Sequence, residues 1–335
     1  MRFVRRYLVP RLVQYVLVIW LGVTVVFLVP RLLPGDPVQN MVAELQAQSA
    51  NMDPKAVEDM ITTLREMYGL EAGLVEQYFL FWKRLFRGDF GPSLFQFPTP
   101  VIEMIGRYMP WTVGLLLTTT LLSWTIGNVT GALSGYFANS RIMRIVDGII
   151  MFVRPIPYYI LALTLLLIFA YMIPLFPLGG GYTTGAKIAL TWKFARDVLK
   201  HAFLPAMSLI ILGVAGSHQG MRLVIQGIKE EGYIRYAKIA AVKERRIFRR
   251  YAMRNALLPQ VTGLTLSLGQ IFGGAMITEM VFGYPGLGFL LYRSIVLVDY
   301  NMIMGITTTS IVAIATGILI IDLLYPLLDP RIRLT

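Results

Sequence analysis

The chain has no cysteine and only two histidines, His201 and His218. Disulfides, thiolate catalysis and cysteine-ligated metals are therefore excluded. Two histidines this far apart do not make a metal motif either, so no metal site is expected. Charge is equally scarce. Of 335 residues, 15% are charged and 56% are hydrophobic, whereas a soluble domain carries about 25% charge. That composition belongs to an integral membrane protein. The charge that remains is one-sided, with 31 Lys and Arg against 19 Asp and Glu. Basic loops that orient spans account for this excess. No soluble nucleic-acid-binding module is visible, so no nucleic-acid partner is expected.

In place of charge there are six apolar runs long enough for a helix to cross the roughly 30 Å hydrocarbon core. They cover Leu12–Leu32, Thr112–Gly135, Ile145–Tyr171, Leu204–Val224, Leu257–Met280 and Met302–Tyr325. The expected fold is an all-α membrane protein with six transmembrane helices. MRFVRRYLVPR begins like a signal peptide, but the run after it is too long and lacks a small-residue cleavage site. An uncleaved anchor is expected. With the N-terminus inside, eighteen of the Lys and Arg fall on inner segments, ten of them between Arg222 and Arg254. Both termini are then expected in the cytoplasm.

Residues 34–110 form an outer region too long for a plain connection. Asp53-Pro54 offers a helix start, followed by Val57, Ile61, Leu64 and Met67 at helical spacing. Val75–Phe86 sets Tyr78, Phe79, Trp82 and Phe86 against Lys83, Arg84 and Arg87, as an interfacial amphipathic helix does. The reading is either a cover over the spans or a docking surface at an outer mouth. Gly180–Lys187 briefly resembles a phosphate-binding loop. An alanine precedes its lysine and no Ser or Thr follows, so the chain has no nucleotide site.

Polar groups at membrane depth are candidates for a transport pathway, because they cost energy unless they face protein or water. Ser208, Ser217, His218, Gln219, Thr262, Thr265, Ser267 and Gln270 qualify, and Ser217, His218, Gln219, Thr265 and Gln270 are the chosen set. Pro155 and Pro157 are placed to kink the third run. Glu279 is expected at the outer interface, and Asp322 is expected to pair with a basic group near the inner surface. No nucleophile–base pair suggests a catalytic residue, since adjacent Ser217 and His218 point different ways on a helix. An ion-coupled carrier would need mid-membrane carboxylates or inverted repeats.

The richest segment is Arg222–Pro259, with ten Lys or Arg and three Glu between two apolar runs. Ile234, Ala237 and Ala241 share one helical face beside Tyr233 and Tyr236. A helix this short is marginal in water, so docking into a partner's groove would stabilise it. Arg245, Arg246, Arg249, Arg250 and Arg254 follow as contacts for membrane lipid headgroups.

Tyr233–Val242, Glu244-Arg245-Arg246 and Arg254–Pro259 together resemble the coupling loop of ABC-transporter permeases. The closer likeness is to the B-type subunit of dipeptide, oligopeptide and nickel importers. Other motifs follow in order: Arg31–Pro37, Tyr68-Gly69-Leu70, Gly88–Ser93, Ile156-Pro157, Glu279–Gly288 and Asp329–Arg333. The resemblance implies a type I importer permease. Its N-terminal segment and first helix would cover 1–33, an extracytoplasmic region 34–110 and a five-helix core 111–330. The core would hold a coupling loop at 222–256, and a tail would follow at 331–335. It implies a non-catalytic subunit of a prokaryotic inner (plasma) membrane importer, partnered by a second permease, two cytoplasmic ATPases that bind ATP and Mg, and an extracytoplasmic binding protein. Peptides are the implied substrate, with oligosaccharide or nickel complexes as family alternatives and a secondary transporter as the other class. Contact with the ATPases would fall on Tyr233, Ile234, Arg235, Tyr236, Ala237, Lys238, Ala240 and Ala241. The family's acidic residue and glycine are replaced here by Arg235 and Ala241. Because Ala disfavours the left-handed backbone that glycine permits, the turn after the helix is expected to differ or to stay helical longer.

Overall fold

The computed structural model describes residues 8–32, 59, 61–63, 73–93, 96–189, 191–273 and 275–328. The expected helix after Asp53, the Tyr68–Leu70 motif, the C-terminal motif and most of Arg31–Pro37 lie outside these residues. Among the described residues the named elements are helical. They run α1 Val9–Leu32, α2 Leu74–Leu85, α3 Val101–Tyr136, α4 Arg141–Val153, α5 Tyr158–Leu166 and α6 Trp192–Lys229. Then follow α7 Gly232–Ile239, α8 Glu244–Arg246, α9 Arg254–Gly269, α10 Met276–Val281, α11 Leu287–Val296 and α12 Tyr300–Leu328.

The chain divides into two compact units, residues 1–110 with 286–335, and residues 111–285. In the first unit α1 packs along α12, where Gly22 lies against the Ile311 side chain. Tyr15 and Thr316 share a hydrogen bond of 3.0 Å. Near the same end Arg11 pairs with Asp322 at 3.1 Å, the partner expected for that carboxylate. α2 lies against the other end of α1. Tyr78 packs edge-on to Phe27, and Arg31 Nε donates to Gln77 at 2.9 Å. The Gly88–Ser93 motif has a structural task here. Ser93 Oγ donates to the buried Asp299 carboxylate at 2.6 Å. The other oxygen of Asp299 accepts the Met302 N–H and so caps α12.

Among the described residues four helices are long and apolar enough to cross a membrane: Val9–Val29, Val101–Tyr136, Trp192–Lys229 and Tyr300–Ile320. A fifth is reached only if α4 and the segment Tyr158–Met172 count as one span, and these meet at 98°. The run Ile145–Tyr171, expected to kink at Pro155 and Pro157, is thus an elbow. Pro155 and Pro157 lack the N–H groups that would carry a helix across the bend, and Pro157 becomes the N-cap of α5. Leu257–Met280 is also not a single helix. α9 stops at Gly269, a 3-10 turn covers Gln270–Gly273, and α10 begins at Met276. Helical backbone runs without a break from Glu244 through a π-helical stretch at Ile247–Met253 to Gly269, so this helix begins before the expected run and ends within it. Gly269 and Gly273 each weaken helix continuation by about 1 kcal/mol. Six unbroken spans are therefore not what the described residues form.

Candidate functional site

The second unit holds the basic loop that follows Arg222. α6 ends at Lys229, the chain turns through Glu230 and Glu231, and α7 begins at Gly232. Eight residues do not sustain a helix alone. What holds α7 is burial of one stripe: Ile234 is fully buried and Ala237 nearly so, among Ala132, Tyr136, Met221, Ile225 and Ile247. Burying Ile234 is worth about 2 kcal/mol. Polar pins add to it. Asn255 Nδ2 donates to the Tyr233 hydroxyl at 3.1 Å, and Tyr136 donates to Glu244 at 2.7 Å. Lys229 Nζ donates to the Tyr136 carbonyl at 2.9 Å.

The stripe expected to meet a partner therefore faces the protein's own core. The opposite face is open: Tyr236 is 75% and Ile239 83% exposed, beside exposed Tyr233, Arg235, Lys238, Ala240 and Ala241. Ile239 was missed from sequence because it lies off the small-residue stripe. The five arginines from Arg245 to Arg254 are exposed as expected.

The turn after α7 keeps the left-handed geometry, contrary to the expectation drawn from Ala241. Ala241 sits at φ +52°. Its N–H bonds the Lys238 carbonyl at 3.0 Å, and the Val242 N–H bonds the Ala237 carbonyl at 3.1 Å. These two bonds form a Schellman cap, and half-buried Val242 packs on the core below it. Together they outweigh the cost of about 1–2 kcal/mol for a Cβ in this conformation. Ala241→Gly removes that strain but adds about 0.5–1 kcal/mol of unfolded-chain entropy. The expected result is a net gain on the order of 0.5 kcal/mol, read as a higher thermal midpoint in detergent. A lower midpoint would contradict the cap.

The polar residues chosen for a pathway do not gather. His218 is 1% exposed, while Ser217 and Gln219 are half-buried and Gln270 is exposed. Thr265 returns its hydroxyl to the Val261 carbonyl at 2.6 Å. No hydrogen bond joins any two of the five among the described residues. His218 belongs instead to a buried cluster that the sequence reading missed. Its Nε2 lies 3.0 Å from Asp147 Oδ1, and its Nδ1 lies 3.0 Å from Thr130 Oγ1. Ser134 donates to the same Asp147 oxygen, and Arg222 reaches Asp147 Oδ2 at 3.3 Å. The signal was present in sequence: Asp147 is the one acidic residue in the apolar run Ile145–Tyr171.

Three glycines make this cluster possible. Gly127, Gly131 and Gly135 recur every four residues on α3, where α6 crosses close by. A Cβ on Gly131 would sit 2.2 Å from the His218 carbonyl oxygen, and one on Gly135 would sit 2.7 Å from that of Arg222. Small residues spaced this way let helix backbones approach in a membrane.

Glu279 is fully buried on α10, and it accepts the Thr112 hydroxyl at 2.7 Å. After α10 the chain folds back, so that the Tyr284 N–H bonds the Glu279 carbonyl at 2.8 Å. Burial, and secondarily the Glu279 carboxylate, push the Tyr284 phenol up to about 12. At the start of α6 lies an open basin of about 780 Å³, lined by Lys187, Lys193, Arg196 and Lys200 with Asp197. Thr183 clasps the Asp197 carboxylate through its N–H and its hydroxyl, at 2.7 and 2.8 Å.

Several apolar helices long enough to span a bilayer, and a charged helical loop held at the end of one of them, define a multi-pass membrane protein. Residues 127–334 match the family described as "Binding-protein-dependent transport system inner membrane component". The chain belongs to that family, and the resemblance drawn from its motifs is borne out. It is 32% identical over 316 residues to the oligopeptide transport system permease protein AppB of Bacillus subtilis, covering 94% of this chain and 95% of that one. It is 28% identical over 333 residues to the dipeptide transport system permease protein DppB of Lactococcus lactis, covering 98% and 99%. Against the oligopeptide transport system permease protein OppB of Haemophilus influenzae the identity is 29% over 328 residues, covering 98% and 99%.

Proposed function

We propose that this chain is one half of the membrane pathway of an ATP-driven importer of di- or oligopeptides. It works by alternating access, with both termini and α7 in the cytoplasm of a prokaryote. The observation that carries this reading is the two-faced α7: Ile234 and Ala237 anchor it, and Tyr236 and Ile239 stand exposed. An exposed apolar pair on an otherwise basic loop suits a groove on another protein. Separate ATPase subunits, binding ATP and Mg, supply that groove and do the catalysis, and a second permease completes the pathway. The peptide substrate is carried over from the names of the relatives. Family membership disfavours an ion-coupled carrier.

α6 also supports the division of labour. Its 38 residues make about 57 Å of helix, well beyond the core of a bilayer. The coupling loop lies at one end and the basic basin at the other. A basin holding four cations offers an acidic binding protein a place to dock from the outer side.

The test is co-purification followed by transport in proteoliposomes. The ATPases are expected to come down with the chain. Uptake of a labelled peptide delivered by the binding protein is expected to stop when ATP hydrolysis is blocked. Uptake driven by a proton gradient without those subunits would sink the reading. Delivery of nickel or oligosaccharide in place of peptide would retain the mechanism and change the substrate.

A further inference from the structure

The Asp147 cluster has no part in the reading above, yet it joins three helices at an expensive place. Asp147 stands on α4, His218 and Arg222 on α6, and Ser134 and Thr130 on α3. Buried ion pairs add little to stability over apolar packing of equal volume. Static helix contact here is already supplied by the glycines of α3. A carboxylate drawing donors from two other helices does something that packing does not: it fixes their relative rotation through directional bonds.

Position indicates what that rotation serves. Arg222 lies seven residues before Lys229, where α6 ends and the chain turns into α7. Asp147 lies seven residues before Arg154, where α4 gives way to the 98° elbow that starts α5. Each hinge is thus about 10 Å of continuous helix away from the carboxylate. A second observation sets this cluster apart from a saturated network. Arg222 Nε is buried and has no hydrogen-bond partner among the described residues, whereas nearly all such groups in a settled interior are paired.

We propose that Asp147 is a positioning residue that transmits movement of α7 to the Arg154–Pro157 elbow by gripping His218 and Arg222. This rests on the ATPase-coupling role of α7 given above. A push on α7 turns the end of α6, and Arg222 and His218 carry α4 with them through the carboxylate. The bend at Pro155 and Pro157 converts that motion into a tilt of α5.

Asp147→Asn tests it with little change of shape. The amide removes the negative charge that holds Arg222, and its NH2 can no longer accept from whichever of Arg222, His218 and Ser134 it faces. Because the chain has no cysteine, spin labels can be placed through Ile142→Cys on α4 and Tyr171→Cys beyond α5. Both positions are exposed, at 67% and 72%. The sample is the full complex in nanodiscs, with ATPases and binding protein, compared nucleotide-free and trapped with ATP and vanadate. The unmodified Asp147 background is expected to show a shift in the distance between the labels. With Asp147→Asn that shift falls to less than a third and peptide transport falls at least tenfold. ATPase binding and basal hydrolysis stay within twofold, and Asp147→Glu recovers part of the shift.

The same shift and the same transport in Asp147→Asn would overturn the proposal. So would an absence of any shift with Asp147 intact, or a parallel loss of ATPase binding that marks a merely structural group. If the chain with Asp147 intact binds no ATPase at all, the coupling role of α7 fails first, and it does so before any variant is made.

Discussion

Gly131→Ala is expected to destabilise the second unit by about 3 kcal/mol, the upper part of the range for an overpacked interior. Two effects oppose each other. Ala is the better helix former by about 1 kcal/mol, so an unpacked Gly131 would gain stability on substitution. The observed geometry decides the sign. The added Cβ meets backbone, at 2.2 Å from the His218 oxygen and 2.9 Å from its Cα, and backbone cannot rotate aside as a side chain can. α3 and α6 would have to separate, which also stretches His218 and Arg222 away from Asp147. Gly114→Ala is the control, on the same helix with nothing within 4 Å of its Cβ. It should be neutral or slightly stabilising. Thermal unfolding of both variants in the same detergent checks the pair. A Gly131→Ala midpoint at or above that of the parent would show that the two helices do not pack this way.

Ile239→Asp is expected to leave folding almost untouched and to weaken ATPase association about a hundredfold. Ile239 is 83% exposed, and a surface change of that kind moves stability by less than about 0.5 kcal/mol. At an interface the same side chain would be a central apolar anchor. Such an anchor is worth 2 kcal/mol or more, and the buried carboxylate adds a desolvation cost. Titrating the ATPase subunit against the purified chain in nanodiscs measures the loss, with a melting curve as the check on folding. Ala237→Arg offers the contrast. Ala237 is 7% exposed against the core, so that variant should lose folding and association together. If Ile239→Asp binds as well as the parent, the open face of α7 is not the docking surface.

Much of this was legible along the chain. The Val75–Phe86 pattern reappears as α2, and the basic loop after Arg222 reappears as a short helix and an exposed arginine cluster. Asp322 found its basic partner in Arg11. These features follow from local periodicity and charge, which a chain carries wherever it folds. The failures are of a different kind. Asp147 was passed over, the burial of Glu279 was not foreseen, and Ala237 was assigned to a partner. Each error concerns which neighbour a face meets, and periodicity names a face without naming its neighbour.

A membrane makes this ambiguity worse. In water an apolar stripe must point inward, but in lipid an apolar stripe is at home against either protein or hydrocarbon. The six runs therefore announced a membrane protein without saying how sharply each helix breaks. That was settled by Pro155 and Pro157 at the elbow and by the glycines at the end of α9. Composition, charge asymmetry and ordered motifs by themselves determined the class, because each is a sum over local residues. The tertiary structure alone decided the grip of Asp147 on His218 and Arg222, the burial of Glu279 and the open face of α7. Those depend on helices that approach closely enough for directional bonds, and residues as far apart as Asp147 and His218 meet only once the chain has folded.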